Sequence, residues 1–173
     1  GNSLMDFASD PIVNITVMLL IIAGGLGFTT WADIRLNRGN FHTYTLQSKI
    51  ALTMTAALIL IPGLFFFFFE LDPSTSLSEH FLISFFQSVT TRTAGYNTID
   101  IKDFSETGRA ALIALMLIGG SPGSTAGGIK TTTAFTLFAI MIATFRLKKD
   151  PTCFSRRLSS ETQRHAVTIL MMY

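Results

Sequence analysis

The sequence predicts an all-α integral membrane protein whose apolar helices are interrupted by polar segments at membrane depth. Three observations carry this. Charge is scarce, at 14% of 173 residues, against roughly 25% in soluble domains. It is also unevenly spread: residues 11–32, 50–69 and 110–129 hold none, and each run reaches the roughly 20 residues that cross a bilayer core. Finally, glycine and proline sit inside apolar stretches, where a continuous helix is costly. These features exclude a soluble enzyme domain, a disordered chain and a secreted disulfide scaffold. A net charge of +2 with no basic stripe gives no nucleic-acid footprint. Cys153 is the single cysteine and reads as an ordinary reduced thiol in a basic loop. Residues 1–10 lack the basic start of a signal peptide.

The first helix is announced by Asp10-Pro11, a cap followed by the proline that suits a first helical turn. It is expected over 11–31, with Gly24, Gly25 and Gly27 near its far end serving close packing or loosening the helix. A polar connection fills 32–49. A second helix is expected over 50–69, kinked at Pro62 and ending in five consecutive Phe that point all round the helix.

Glu70–Thr107 is neither a full span nor an ordinary loop. Ser76-x-x-Glu79 reads as a capping box opening a short helix over 77–90. Phe81–Thr91 carries no charge but reaches only halfway across a bilayer, so it is a re-entrant candidate. Thr91–Asn97 follows as a non-helical segment, tolerated at that depth only where protein or water surrounds it. A third helix over 109–145, opened by Ser105-Glu106, is broken by five glycines and a proline between Gly119 and Gly128. From Arg146 the chain turns basic, and Ser160-x-x-Gln163 caps a helix that it barely enters before ending. A piece of a longer protein is therefore expected.

Loop charge sets the orientation. Residues 70–108 hold six acids and two bases, while 146–164 hold six bases and two acids. Positive-inside places 32–49 and 146–164 in the cytoplasm, and 1–10 and 70–107 outside. Leu20–Gly25 also echoes Met116–Gly120, as if 1–31 ended one repeat and 50–145 formed the next.

A short helix that ends at an extended polar segment aims its partial negative charge at a buried cation. The segment after it can offer backbone carbonyls in place of the ion's water shell. Thr93-Ala94-Gly95-Tyr96 is placed for this, with Gly95 permitting the backbone conformation and the Thr93 hydroxyl as a further acceptor.

Thr93–Tyr96 resembles the potassium-channel signature Thr-Val-Gly-Tyr-Gly, departing at Ala94 and Asn97. The longer string Ser88–Thr98 is similar to a pore loop of the Trk/Ktr/HKT superfamily of potassium transporters. So is Gly119-Gly120-Ser121-Pro122-Gly123-Ser124-Thr125-Ala126-Gly127-Gly128, with Lys130 after it. The resemblance covers about 11–173, as the end of a second repeat, a whole third (50–145) and the start of a fourth (146–173). It implies helix–pore loop–helix repeats of potassium-channel type, four around one pore. It further implies sodium-stimulated potassium uptake across the bacterial plasma membrane by a homodimer on a cytoplasmic nucleotide-binding ring of RCK domains. Potassium is then substrate, sodium an activator, and no covalent cofactor is involved. Thr93, Ala94, Gly95 and Tyr96 take the filter positions, and Gly119–Lys130 the intramembrane gating loop.

Arg92 is expected behind that segment, paired with a carboxylate or snorkelling outward, because facing the path it would repel a cation. Lys130 is a costly intramembrane charge, suited to tethering the loop through its carbonyls. Two rivals remain. Gly123-x4-Gly128-Ile129-Lys130-Thr131 is one residue away from a phosphate-binding loop, with Ile129 displacing the lysine. Gly119, Gly123 and Gly127 recur every four residues, as in a helix-packing stripe of a non-conducting fragment, but Pro122 interrupts it.

Overall fold

The computed structural model describes residues 3–70, 76–147, 151–154 and 156–173. Asp72 of the expected outer loop and Lys148, Lys149 and Asp150 of the basic linker lie outside the described residues. The described chain is helical, with one short antiparallel strand pair.

Helix α1, Pro11–Gly25, starts where the Asp10 carboxylate accepts the Ile12 and Val13 amides. It does not run on to Trp31. After Leu26 and Gly27 the chain bends by 93° into α2, Phe28–Leu36. The cause is at Gly27, which has φ +79° and where a Cβ would collide with the Pro122 carbonyl oxygen. Loosening and close packing thus coincide at one glycine. The Trp31 indole N–H returns to the Ala23 carbonyl at 2.9 Å, one of the acceptors that a helix end leaves open.

Helix α3, Leu46–Phe69, starts at Leu46 rather than Ile50, capped by the Thr45 hydroxyl on the Ser48 amide. Asp33 ties α2 to this end by accepting the Thr45 amide at 2.9 Å and the Thr45 hydroxyl at 2.7 Å. Hydrogen bonds from Ser48 and Thr45 hold its carboxyl below the usual range. Among the described helices, α3 alone is long and apolar enough to cross a membrane by itself; α1 and α2 qualify only together across their bend. The helix continues through Pro62.

Helix α4, Leu77–Thr90, packs along α3 in the most extensive helix pair. Ser76 takes its cap position, but the capping box is not formed, since the Ser76 hydroxyl makes no cap hydrogen bond. Helix α5, Glu106–Met116, opens with the Ser105 hydroxyl accepting the Gly108 amide at 3.0 Å. Glu70, just past α3, accepts the Ser105 amide at 2.9 Å and the Ser105 hydroxyl at 2.6 Å. Beneath them Phe66, Phe104 and Leu112 form a small core, so one of the five Phe is internal while Phe68 and Phe69 stay exposed. Replacing Glu70 by Ala is expected to loosen α5 from α3 and cost about 1–2 kcal/mol. The check is the melting temperature of the purified protein, and an unchanged value would show that the contact is idle.

Helix α6, Thr131–Phe145, follows the break. Strands β1, Thr152–Cys153, and β2, Arg156–Arg157, form a hairpin where only a linker is expected. Phe154 packs edge-on against Phe41 at 6.2 Å, which brings the linker against the 32–49 connection. Cys153 is buried there, and burial pushes its thiol up. Helix α7, Ser160–Met172, is capped by Ser159, whose hydroxyl accepts the Thr162 amide, rather than by Ser160. Ile12, Leu20, Ile61, Phe68, Ile113 and Phe145 are exposed.

Candidate functional site

The site is built at the end of α4, where the chain must stop being helical. The Ala94 and Gly95 amides both donate to the Thr90 carbonyl, at 3.1 and 3.3 Å, and wrap the segment over the helix end. Thr93 (φ +66°) and Gly95 (φ +79°) are both left-handed. For Thr93 that conformation costs energy. Its side chain is engaged: the hydroxyl accepts the Gly127 amide at 3.3 Å.

The carbonyls of Thr93, Ala94 and Gly95 accept no hydrogen bond among the described residues. The Tyr96 carbonyl is different, since it accepts the hydroxyl of buried Thr90. A Cβ on Gly95 would meet nothing within 4 Å, so this glycine is required by its backbone angle and looks onto open space. Beyond it, the Asn97 amide donates to the Ser3 hydroxyl at 2.9 Å, and its carbonyl accepts the Leu4 amide at 3.0 Å. Thr90 was not singled out by the sequence, although a threonine ending an apolar helix is the available signal.

Arg92 is only 4% exposed, and its guanidinium nitrogens have no partner among the described residues. It neither snorkels nor meets a carboxylate there. It lies beside Gly25, at the partially negative C-terminal end of α1 that suits a cation. With Thr93, Ala94, Thr125 and Ala126 it lines a cavity of about 150 Å³.

The broken helix closes on itself. Ile118 and Ile129 pair side by side: the Gly119 amide donates to the Ile129 carbonyl and the Ile129 amide to the Leu117 carbonyl, both at 3.0 Å. The loop beyond this neck docks on the glycine end of α1. The Ser121 amide donates to the Gly25 carbonyl at 2.9 Å, the Thr125 amide to the Gly24 carbonyl at 3.4 Å, and the Phe28 amide to the Gly123 carbonyl at 3.1 Å. The Thr131 hydroxyl donates to that of Ser121 at 3.1 Å. Lys130 Nζ donates to the Ala126 carbonyl at 2.6 Å, so its charge is spent on the loop itself. Among the described residues no strand element leads into the loop, and Lys130 is engaged with the Ala126 carbonyl rather than free for a phosphate cradle. The segment after α4, the loop and the α1 end are therefore one hydrogen-bonded unit.

Comparison with known proteins agrees in kind. The family model for TrkH, described as cation transport protein, matches residues 40–171. The potassium/sodium uptake protein NtpJ of Enterococcus hirae is 39% identical over 99% of this chain and 39% of its own length. Ktr system potassium uptake protein B of Vibrio alginolyticus is 36% identical over 99% of this chain and 39% of its own. Its Bacillus subtilis counterpart is 37% identical over 91% of this chain and 36% of its own. The chain thus spans about two fifths of these relatives, which are transport proteins and not enzymes. On a match that takes in α3 to α6 and all of the loop, the chain belongs to the TrkH family of cation transport proteins.

Proposed function

We propose that this chain forms one potassium-selective quarter of a bacterial plasma-membrane potassium uptake protein, with parts of the flanking repeats. The carbonyls of Thr93, Ala94 and Gly95 replace potassium's water shell. The Tyr96 carbonyl joins them when the Thr90 hydroxyl lets go. Gly119–Gly128, tethered by Lys130, lies beneath as the gate. One observation supports this most: three adjacent carbonyls without an internal partner, at the C-terminal end of a short helix and latched through Thr93 to the glycine loop. Such groups are expensive at membrane depth unless an ion or water meets them. The remaining repeats, lipid, a second copy in a homodimer and a cytoplasmic ring of nucleotide-binding RCK domains complete the working unit, with sodium as activator.

The test is rubidium uptake into liposomes holding the full-length protein and its ring. Uptake is expected to be competed by potassium far better than by sodium, and to rise when sodium is added. Uptake that sodium and potassium block equally well would overturn the reading.

A further inference from the structure

We propose that Ser88 is a positioning residue for the filter, seated on the Leu58 backbone carbonyl that Pro62 deprives of its helical partner and on the Ile59 carbonyl beside it. Proline has no N–H, so the Leu58 carbonyl one turn earlier in α3 loses its ladder bond, and the ring crowds that carbonyl outward. No water is available to take it at membrane depth. The replacement comes from α4. Ser88 Oγ lies 3.0 Å from the Leu58 oxygen and 2.9 Å from the Ile59 oxygen, its single hydrogen shared between them. Ser88 is fully buried, so no solvent competes for that hydrogen.

The neighbouring glycine completes the seat. A Cβ on Gly63 would lie 3.0 Å from the Phe85 ring. Phe85 and Ser88 are three residues apart on one helix face. Pro62-Gly63 therefore offers an open acceptor to one and space to the other, fixing α4 both along and against α3. No other α4 side chain is hydrogen-bonded to α3 among the described residues. Ser84 donates within its own helix, to His80 at 2.8 Å. The Thr91 hydroxyl donates to the Ser88 carbonyl at 2.7 Å, and the Ala94 and Gly95 amides hang from Thr90. The open carbonyls thus take their position from an α4 end whose one polar hold on α3 is Ser88.

The transport part of this inference rests on the proposed reading of those carbonyls; the packing part does not. The test uses the full-length protein with Ser88→Ala, Pro62→Ala and the double variant. Ser88→Ala is expected to raise the apparent KM for potassium about fivefold, the weight of one net hydrogen bond. The maximal rate should stay near the unchanged protein's, and the melting temperature should fall by about 1 °C, since the entropy of melting grows with a chain about two and a half times as long as this one. Pro62→Ala gives the Leu58 carbonyl its own N–H back, so adding Ser88→Ala to it should change KM and melting temperature little further.

Effects that simply add in this cycle, or a Ser88→Ala protein with unchanged KM, would overturn the proposal. If Ser88→Ala fails to fold while the double variant folds, the seat is supported; if both fail alike, it is overturned. Should the unsubstituted protein carry no potassium, the functional reading fails, and the melting-temperature cycle still decides the seat.

Discussion

Replacing Gly95 by Ser in the full-length protein is expected to lower its preference for potassium over sodium by about 5- to 30-fold. The argument is conformational. Gly95 has φ +79°, and a side chain there would meet nothing within 4 Å, so space is not the obstacle. The left-handed backbone costs an L-residue about 1–2 kcal/mol, which is a factor of 5 to 30 in an equilibrium. The cheapest relief is to rotate the peptides on either side of Gly95, turning the Ala94 and Gly95 carbonyls out of line. A ring that no longer holds its carbonyls in the number and spacing that replace potassium's water shell discriminates less against sodium. The measurement is the ratio of potassium to sodium uptake in the reconstituted transporter. An unchanged ratio would remove Gly95 from the filter.

What the sequence made legible follows from what charge and caps encode. Helix α4 occupies the expected 77–90: Glu79 stands in its first turn, and from Phe81 to Thr91 the chain carries no charge before the polar segment that ends it. Helix α3 begins before Ile50, since Lys49 is a limit for membrane depth and not for a helix; its Nζ reaches back to the His42 carbonyl from inside the first turn. The break after Gly25 was hidden because Leu26 and Phe28 keep the segment apolar across it. Only a partner nearly a hundred residues away, the Pro122–Gly123 backbone, makes Gly27 a corner. The site divides the same way. Thr93–Tyr96 and Gly119–Gly128 stand out as motifs, whereas the Thr93–Gly127 bond and the Ser88 seat exist only once distant helices meet.

Deleting Ser121–Gly127 from the full-length transporter is expected to raise potassium flux severalfold and to weaken control by the cytoplasmic ring. The neck makes the deletion feasible. Gly119 lies so close to Gly127 that a Cβ on the former would overlap the latter's carbonyl, and the Gly119–Ile129 and Ile129–Leu117 bonds lie outside the removed segment. The two helix halves therefore need not shift to rejoin. What disappears is the bond from Gly127 to Thr93, the tether from Lys130 to Ala126, the bond from the Thr131 hydroxyl to Ser121 and three backbone bonds to the bend between α1 and α2. Those three are worth about 1 kcal/mol each, so some loss of thermal stability should accompany the change. The two roles of the loop make opposite predictions. A gate obstructs the path, and without it ions pass faster and without regard to the proposed regulatory ring. A brace holds Gly24, Gly25 and the filter in place, and without it the filter collapses. Flux at background in a protein that still assembles would make the loop a brace and sink its role as the gate.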